Sequence, residues 1–117
     1  MLTLNKNNTL SDKKLRAFLF SLNFNIYSDG TKYLIDAIII VSKQPSLLKN
    51  MKNIYSILSI KYSIPESSVK WAIRNSIDTM NRNTSDREIN KKLSVTGYRK
   101  MTPKYFIPLV ISHFKVS

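Results

Sequence analysis

Between positions 67 and 78, the residue types capable of specific chemistry recur at helical spacing. At about 100° per residue, Ser67, Lys70, Trp71, Arg74, Asn75 and Asp78 fall on one side of a helix. Val69, Ala72, Ile73, Ser76, Ile77 and Met80 fall on the other. The first set is suited to recognition by hydrogen bonds. An arginine can donate two to a guanine edge, an asparagine can pair with adenine, and a lysine can meet a base or a phosphate. A tryptophan can contact a thymine methyl or a sugar, and an exposed tryptophan also suits a protein interface.

Covalent and metal chemistry find little material elsewhere. There is no cysteine, which excludes disulfides, zinc fingers and thiol catalysis. The one histidine, His113, lies near the C-terminus. The seven acidic residues form no compelling acid–base pair, and there is no GxGxxG, P-loop or GxSxG motif. The chain is expected not to be an enzyme and to need no cofactor or metal.

Charge points the same way as the helix face. Nineteen Lys and Arg against seven Asp and Glu leave a net charge of +12 over 117 residues. A field of that size draws a protein to polyanions, with nucleic acid first and an anionic membrane surface second. The basic residues are scattered over several elements, which argues against a membrane-surface helix. The longest apolar run, 37–41, is far below the ~20 residues needed to span a bilayer. The start of the chain is polar and has no secretion signal, so a cytoplasmic location is expected.

The remaining elements must position that face. Residues 1–10 read as a flexible terminus, and 11–117 as one helical domain. Ser11 and Asp12 can cap a first helix carrying Leu15, Phe18, Leu19 and Leu22. Asp29-Gly30 reads as a turn before a second helix, 31–43, capped by Thr31. The spacing of Tyr33, Leu34, Ala37, Ile38 and Val41 favours helix over strand there. Pro45 ends it, and residues 46–51 read as a short helix or turn.

A helix over 53–62, with Ile54, Ile57, Leu58 and Tyr55 inward, is followed by a break at 63–66. Ser67 or Ser68 would cap the next helix, which runs to about Met80. Residues 53–80 thus have helix-turn-helix spacing. Residues 81–86 read as a loop, 86–93 as a short helix, and 94–101 as an irregular basic segment. The last helix has Thr102 as cap, Pro103 at its first position, and Pro108 as a source of distortion. The fold expected is all-α, a compact bundle of about six helices.

On this scaffold Ser67, Lys70, Trp71, Arg74 and Asn75 are the base-reading candidates. Lys49, Lys52, Lys61, Ser68, Arg82, Arg87, Lys91, Lys92, Arg99 and Lys100 are candidates for phosphate, with Lys104 in the same basic segment. Phosphate contacts fix register and do not read sequence.

Three blocks of residues resemble a known family. Residues 30–38, GTKYLIDAI, are similar to its Gly-Tyr-x-Tyr-Leu-x-x-Ala-Ile opening. Residues 54–78 are similar to its helix-turn-helix, including Val-x-x-Ala-Ile-Arg at Val69, Ala72, Ile73 and Arg74. Residues 100–110, KMTPKYFIPLV, are similar to its final helix. The family is the C-terminal DNA-binding domain of the stage-zero sporulation response regulator of endospore-forming bacteria. The resemblance spans residues 15–114.

It implies about six helices, duplex DNA as partner, major-groove binding by helix 67–80, and head-to-tail pairing of copies on tandem sites. It also implies that Arg74 matches a family arginine that contacts DNA. The chain departs from the family at Lys70-Trp71, where the family has a base-reading Glu-Arg pair, and at Asn75, often His. The target sequence is therefore expected to differ. The 29 residues before Gly30 are too few for the family's receiver domain, so phosphorylation control is not expected within them. A transcriptional regulator is the leading reading. The alternative is a protein-interaction module that modulates a full-length regulator or RNA polymerase.

Overall fold

A computed structural model describes residues 10–97 and 100–115. The expected flexibility of residues 1–9 and the candidate Arg99 lie outside them. The order is α1 (Asp12–Ser21), α2 (Asp29–Lys43), a 3-10 turn (Pro45–Lys49), α3 (Met51–Tyr62), α4 (Glu66–Asn83), α5 (Asp86–Leu93) and α6 (Pro103–Lys115). Six α-helices and no strand occur among the described residues, so the fold is an all-α bundle.

α2 is the central element. It buries Tyr33, Leu34, Ile35, Ala37, Ile38 and Val41, and packs against α1, α3, α4 and α6. A helix apolar around most of its circumference must be covered on several sides, which is why the Ile run is helix and not strand.

Short polar side chains start most of the helices. The Ser11 hydroxyl accepts from Lys14 N at 3.1 Å, Ser28 from Thr31 N at 3.2 Å, Asn50 from Lys52 N at 3.1 Å, and Ser85 from Glu88 N at 3.2 Å. Pro103 opens α6, and that helix continues unbroken through Pro108.

Several boundaries differ from the sequence reading. The cap of α2 is Ser28, so Asp29 and Gly30 form its first turn and Thr31 is a fully buried third residue. Gly30 serves packing: a Cβ there would lie 2.2 Å from the Ala72 carbonyl oxygen on α4. α4 begins at Glu66 after Pro65, with no side-chain cap, so Ser67 and Ser68 sit inside its first turn. The Pro65 carbonyl accepts from Ser68 N at 3.0 Å and Val69 N at 3.2 Å, and the serine hydroxyls are left exposed.

The polar run expected as a loop is helical to Asn83 because its side chains have distant partners. Asn81 Nδ2 donates to the Met101 carbonyl at 3.0 Å, and Met101 N donates back to Asn81 Oδ1 at 3.3 Å. Asn23 Nδ2 donates to the Asn83 carbonyl at 3.2 Å, covering the end of the helix. Ile57, expected inward, is 39% exposed.

Candidate nucleic-acid interface

α3, the turn 63–65 and α4 form the helix-turn-helix. α3 closes with Ser63 in the left-handed region (φ 55°), and Ile64 N donates to the Ser59 carbonyl at 3.1 Å. Pro65 then fixes the extended backbone from which α4 starts. Val69, Ile73, Ile77 and Met80 are completely buried and clamp α4 onto the bundle. With those positions fixed, the helical period turns Ser67, Lys70, Trp71, Arg74 and Asn75 outward. All five are exposed, and with Asp78 they line one shallow surface groove. Trp71 is 67% exposed.

Two deeper grooves flank this ridge. One lies between α4 and the start of α2, where Asn25, Ser28 and Thr31 face Ser68, Trp71, Asn75 and Thr79. The other lies between α4 and the starts of α3 and α6, where Asn50, Lys52, Tyr55, Thr102 and Lys104 meet Lys70 and Arg74. Lys52 also reaches Glu66 at 3.3 Å, in a pair that is largely solvated. Burial raises the Tyr55 phenol above its ordinary value, against the opposing pull of Arg74.

The first residues of α2, α3 and α6 thus all open toward the ridge. The linings carry Lys52, Lys70, Arg74 and Lys104 together with the carboxylates of Asp29, Glu66 and Asp78.

The other phosphate candidates are not gathered here. Lys61 turns to Asp36 on α2, with Nζ 3.0 Å from the carboxylate, and also lies over the Tyr62 ring. Arg82 donates to Thr79 Oγ1 at 3.2 Å, and Lys92 pairs with Glu88 at 3.6 Å on α5. Lys49, Arg87, Lys91 and Lys100 are exposed and line none of the three grooves. Among the described residues no group of His, Cys, Asp or Glu could hold a metal ion, and no helix is long and apolar enough to cross a membrane.

A family model for the C-terminal domain of the sporulation initiation factor Spo0A matches residues 15–113. The chain belongs to this family. No curated protein matches it. The family match runs from α1 into α6 and so takes in the helix-turn-helix and both flanking grooves.

Asn25, Ser28, Asn50 and Thr102 line these grooves and were not singled out as candidates from sequence. Thr102-Pro103 does announce a helix start, and Ser28 precedes one. Their placement beside α4 comes from tertiary packing, which no local pattern encodes.

Proposed function

We propose that this domain binds duplex DNA sequence-specifically, with α4 in the major groove, and regulates transcription in sporulation. The observation that carries the reading is the division of α4: one stripe fully buried, the opposite stripe exposed and composed of base-reading side chains. Membership of a family of helical DNA-binding domains and the +12 charge support it. Arg74 donates to a guanine edge, Asn75 pairs with adenine, and Lys70 and Ser67 serve bases or the nearest phosphates. Trp71 packs on a thymine methyl or a sugar. Lys52 and Lys104 hold phosphates on one side of the groove, and Ser68 with the start of α2 holds them on the other. Lys49, Lys61, Arg82, Arg87, Lys91, Lys92, Arg99 and Lys100 add a diffuse field that raises affinity for any duplex. Two copies pair on tandem sites.

The test is selection of bound duplexes from a random pool, with affinity then measured against salt. A motif should be enriched, and binding should weaken steeply as salt rises. Arg74→Ala should cost about 1–3 kcal/mol on the selected site and much less on random duplex. An equal loss on both would make Arg74 a phosphate contact. Absence of binding even at low salt would remove the proposal.

The exposure of Trp71 favours a second reading, in which the indole anchors a protein partner such as RNA polymerase or a full-length regulator. Trp71→Ala would then abolish capture of that partner while the chain showed no affinity for DNA.

A further inference from the structure

The seven carboxylates of this basic chain are not distributed at random. Asp12, Asp29, Glu66, Asp86 and Glu88 lie in the first turns of helices, where free amide groups and the helix dipole favour negative charge. Asp36 accepts from Lys61 and from the Tyr62 hydroxyl. Asp78 has neither kind of support. It lies well inside α4, is exposed, and makes no ion pair or hydrogen bond with the described residues. It nevertheless lines the same grooves as Lys70 and Arg74. An acid without a partner among the described residues, on the face most suited to a polyanion, weakens binding to any phosphate. Its presence there calls for a compensating contact.

We infer that Asp78 is a specificity-determining residue that accepts a hydrogen bond from the exocyclic amine of one cytosine in the bound duplex. The inference rests on α4 being the DNA-reading helix, as proposed above. An ionised carboxylate can only accept. In the major groove guanine offers two acceptors and thymine one, and adenine places an acceptor beside its amine. Cytosine alone offers a donor with no acceptor next to it on its own edge. Asp78 therefore rewards one base and is repelled by the others. It stands one turn beyond Arg74, about 6 Å along the helix axis. The rise per base pair is about 3.4 Å. The base pair it meets is thus not the one Arg74 reads.

The experiment is selection from a random duplex pool at low salt, run in parallel with wild type, Asp78→Asn, Asp78→Ala and Arg74→Ala. Position 78 is exposed, so all should fold, and thermal unfolding checks this. The wild-type motif should contain a cytosine position at which Asp78→Asn and Asp78→Ala lose about tenfold selectivity. That position should survive in Arg74→Ala, and both Asp78 variants should bind random duplex more tightly than wild type. An unchanged motif with uniformly higher affinity would overturn the inference and leave Asp78 a general electrostatic brake. Loss of the same position in the Asp78 and Arg74 variants would also overturn it, because Asp78 would then act through Arg74. If wild type enriches no motif, the DNA-binding proposal itself fails, an outcome distinct from the other two.

Discussion

Along α4, Val69, Ile73, Ile77 and Met80 are removed from water, while Lys70, Arg74 and Asp78 are each one residue further along and exposed. The two stripes share one backbone and obey different constraints. The inner stripe is set by the need to fill a close-packed interior between α2, α3 and α6. The outer stripe bears almost nothing of the fold. Of its charged side chains, none of Lys70, Arg74 and Asp78 has an ion pair among the described residues. Residues on the inner stripe answer to stability, and those on the outer stripe are free to answer to a partner.

Substituting one residue from each stripe tests that division most sharply. Ile73→Ala removes buried methyl groups and leaves a cavity, at a cost of about 2–5 kcal/mol in chemical denaturation. Lys70→Ala should stay within about 0.5 kcal/mol of wild type in the same measurement. A loss at Lys70 rivalling that at Ile73 would break the comparison, because the outer stripe would then be structural.

Gly30 tests the seat of the inner stripe. Replacing a helical glycine with alanine normally gains up to about 1 kcal/mol. Here the added Cβ would lie 2.2 Å from the Ala72 carbonyl oxygen and 3.1 Å from Ser76 Cβ. The first of these is backbone and cannot rotate away. We expect overlap to win, with Gly30→Ala destabilising by about 1–3 kcal/mol. Because α4 must shift to relieve it, affinity for the selected duplex should fall as well, although Gly30 need touch no DNA. A stabilised Gly30→Ala protein would show that α2 and α4 separate at no cost.

These two stripes differ in how far the sequence disclosed them. The split of α4 was legible because a 3.6-residue period sorts apolar from polar positions without reference to the rest of the molecule. The helix count and the Thr102-Pro103 start were legible for the same local reason. What escaped was decided across the fold. Asp29-Gly30 has the composition of a turn, yet Gly30 is needed where α2 crosses α4. Residues 81–83 look like a loop until Met101 and Asn23 supply partners for Asn81 and Asn83. Ile57 fits an inward stripe, but no element covers it fully. The grouping of Lys52, Lys104 and Thr102 around Arg74 depends on how the starts of α3 and α6 converge on α4, and the scatter of Lys61, Arg82 and Lys92 into local contacts depends on their neighbours.

The joint between α2 and α3 gives a smaller effect. Tyr62, the last residue of α3, donates its hydroxyl to Asp36, which also takes Lys61 at 3.0 Å, and its ring packs on Tyr33 at 4.8 Å. Tyr62→Phe keeps the ring and loses the hydrogen bond, costing about 1–2 kcal/mol. Burial, then the bond to Asp36, raises the phenol above its ordinary value of 10.0. The unfolded chain therefore releases this proton at a lower pH than the folded one. The stabilisation is complete below pH 10 and declines as pH rises above it. Tyr62→Phe should flatten this alkaline decline in urea titrations, with Tyr33 and Tyr55, also raised by burial, supplying what remains. An identical alkaline slope in the variant would show that neither burial nor Asp36 holds the Tyr62 proton in solution.

A smaller effect again concerns Ser76, at the border of the two stripes. Its hydroxyl oxygen is buried and has no hydrogen-bond partner among the described residues. A buried hydroxyl without a partner is a net cost, and alanine is the better helix former by about 0.5 kcal/mol. Ser76→Ala should therefore stabilise the domain by about 0.5–1 kcal/mol in denaturant titrations. Ser76 also lines the groove between α4 and the start of α2, among Ser28, Thr31 and Asn75. If the substitution destabilises instead, the hydroxyl has a partner in solution, either water in that groove or, after a rotamer change, the Ala72 carbonyl one turn earlier. Ser76 would then belong with the polar surface of α4, beside an inner stripe of Val69, Ile73, Ile77 and Met80.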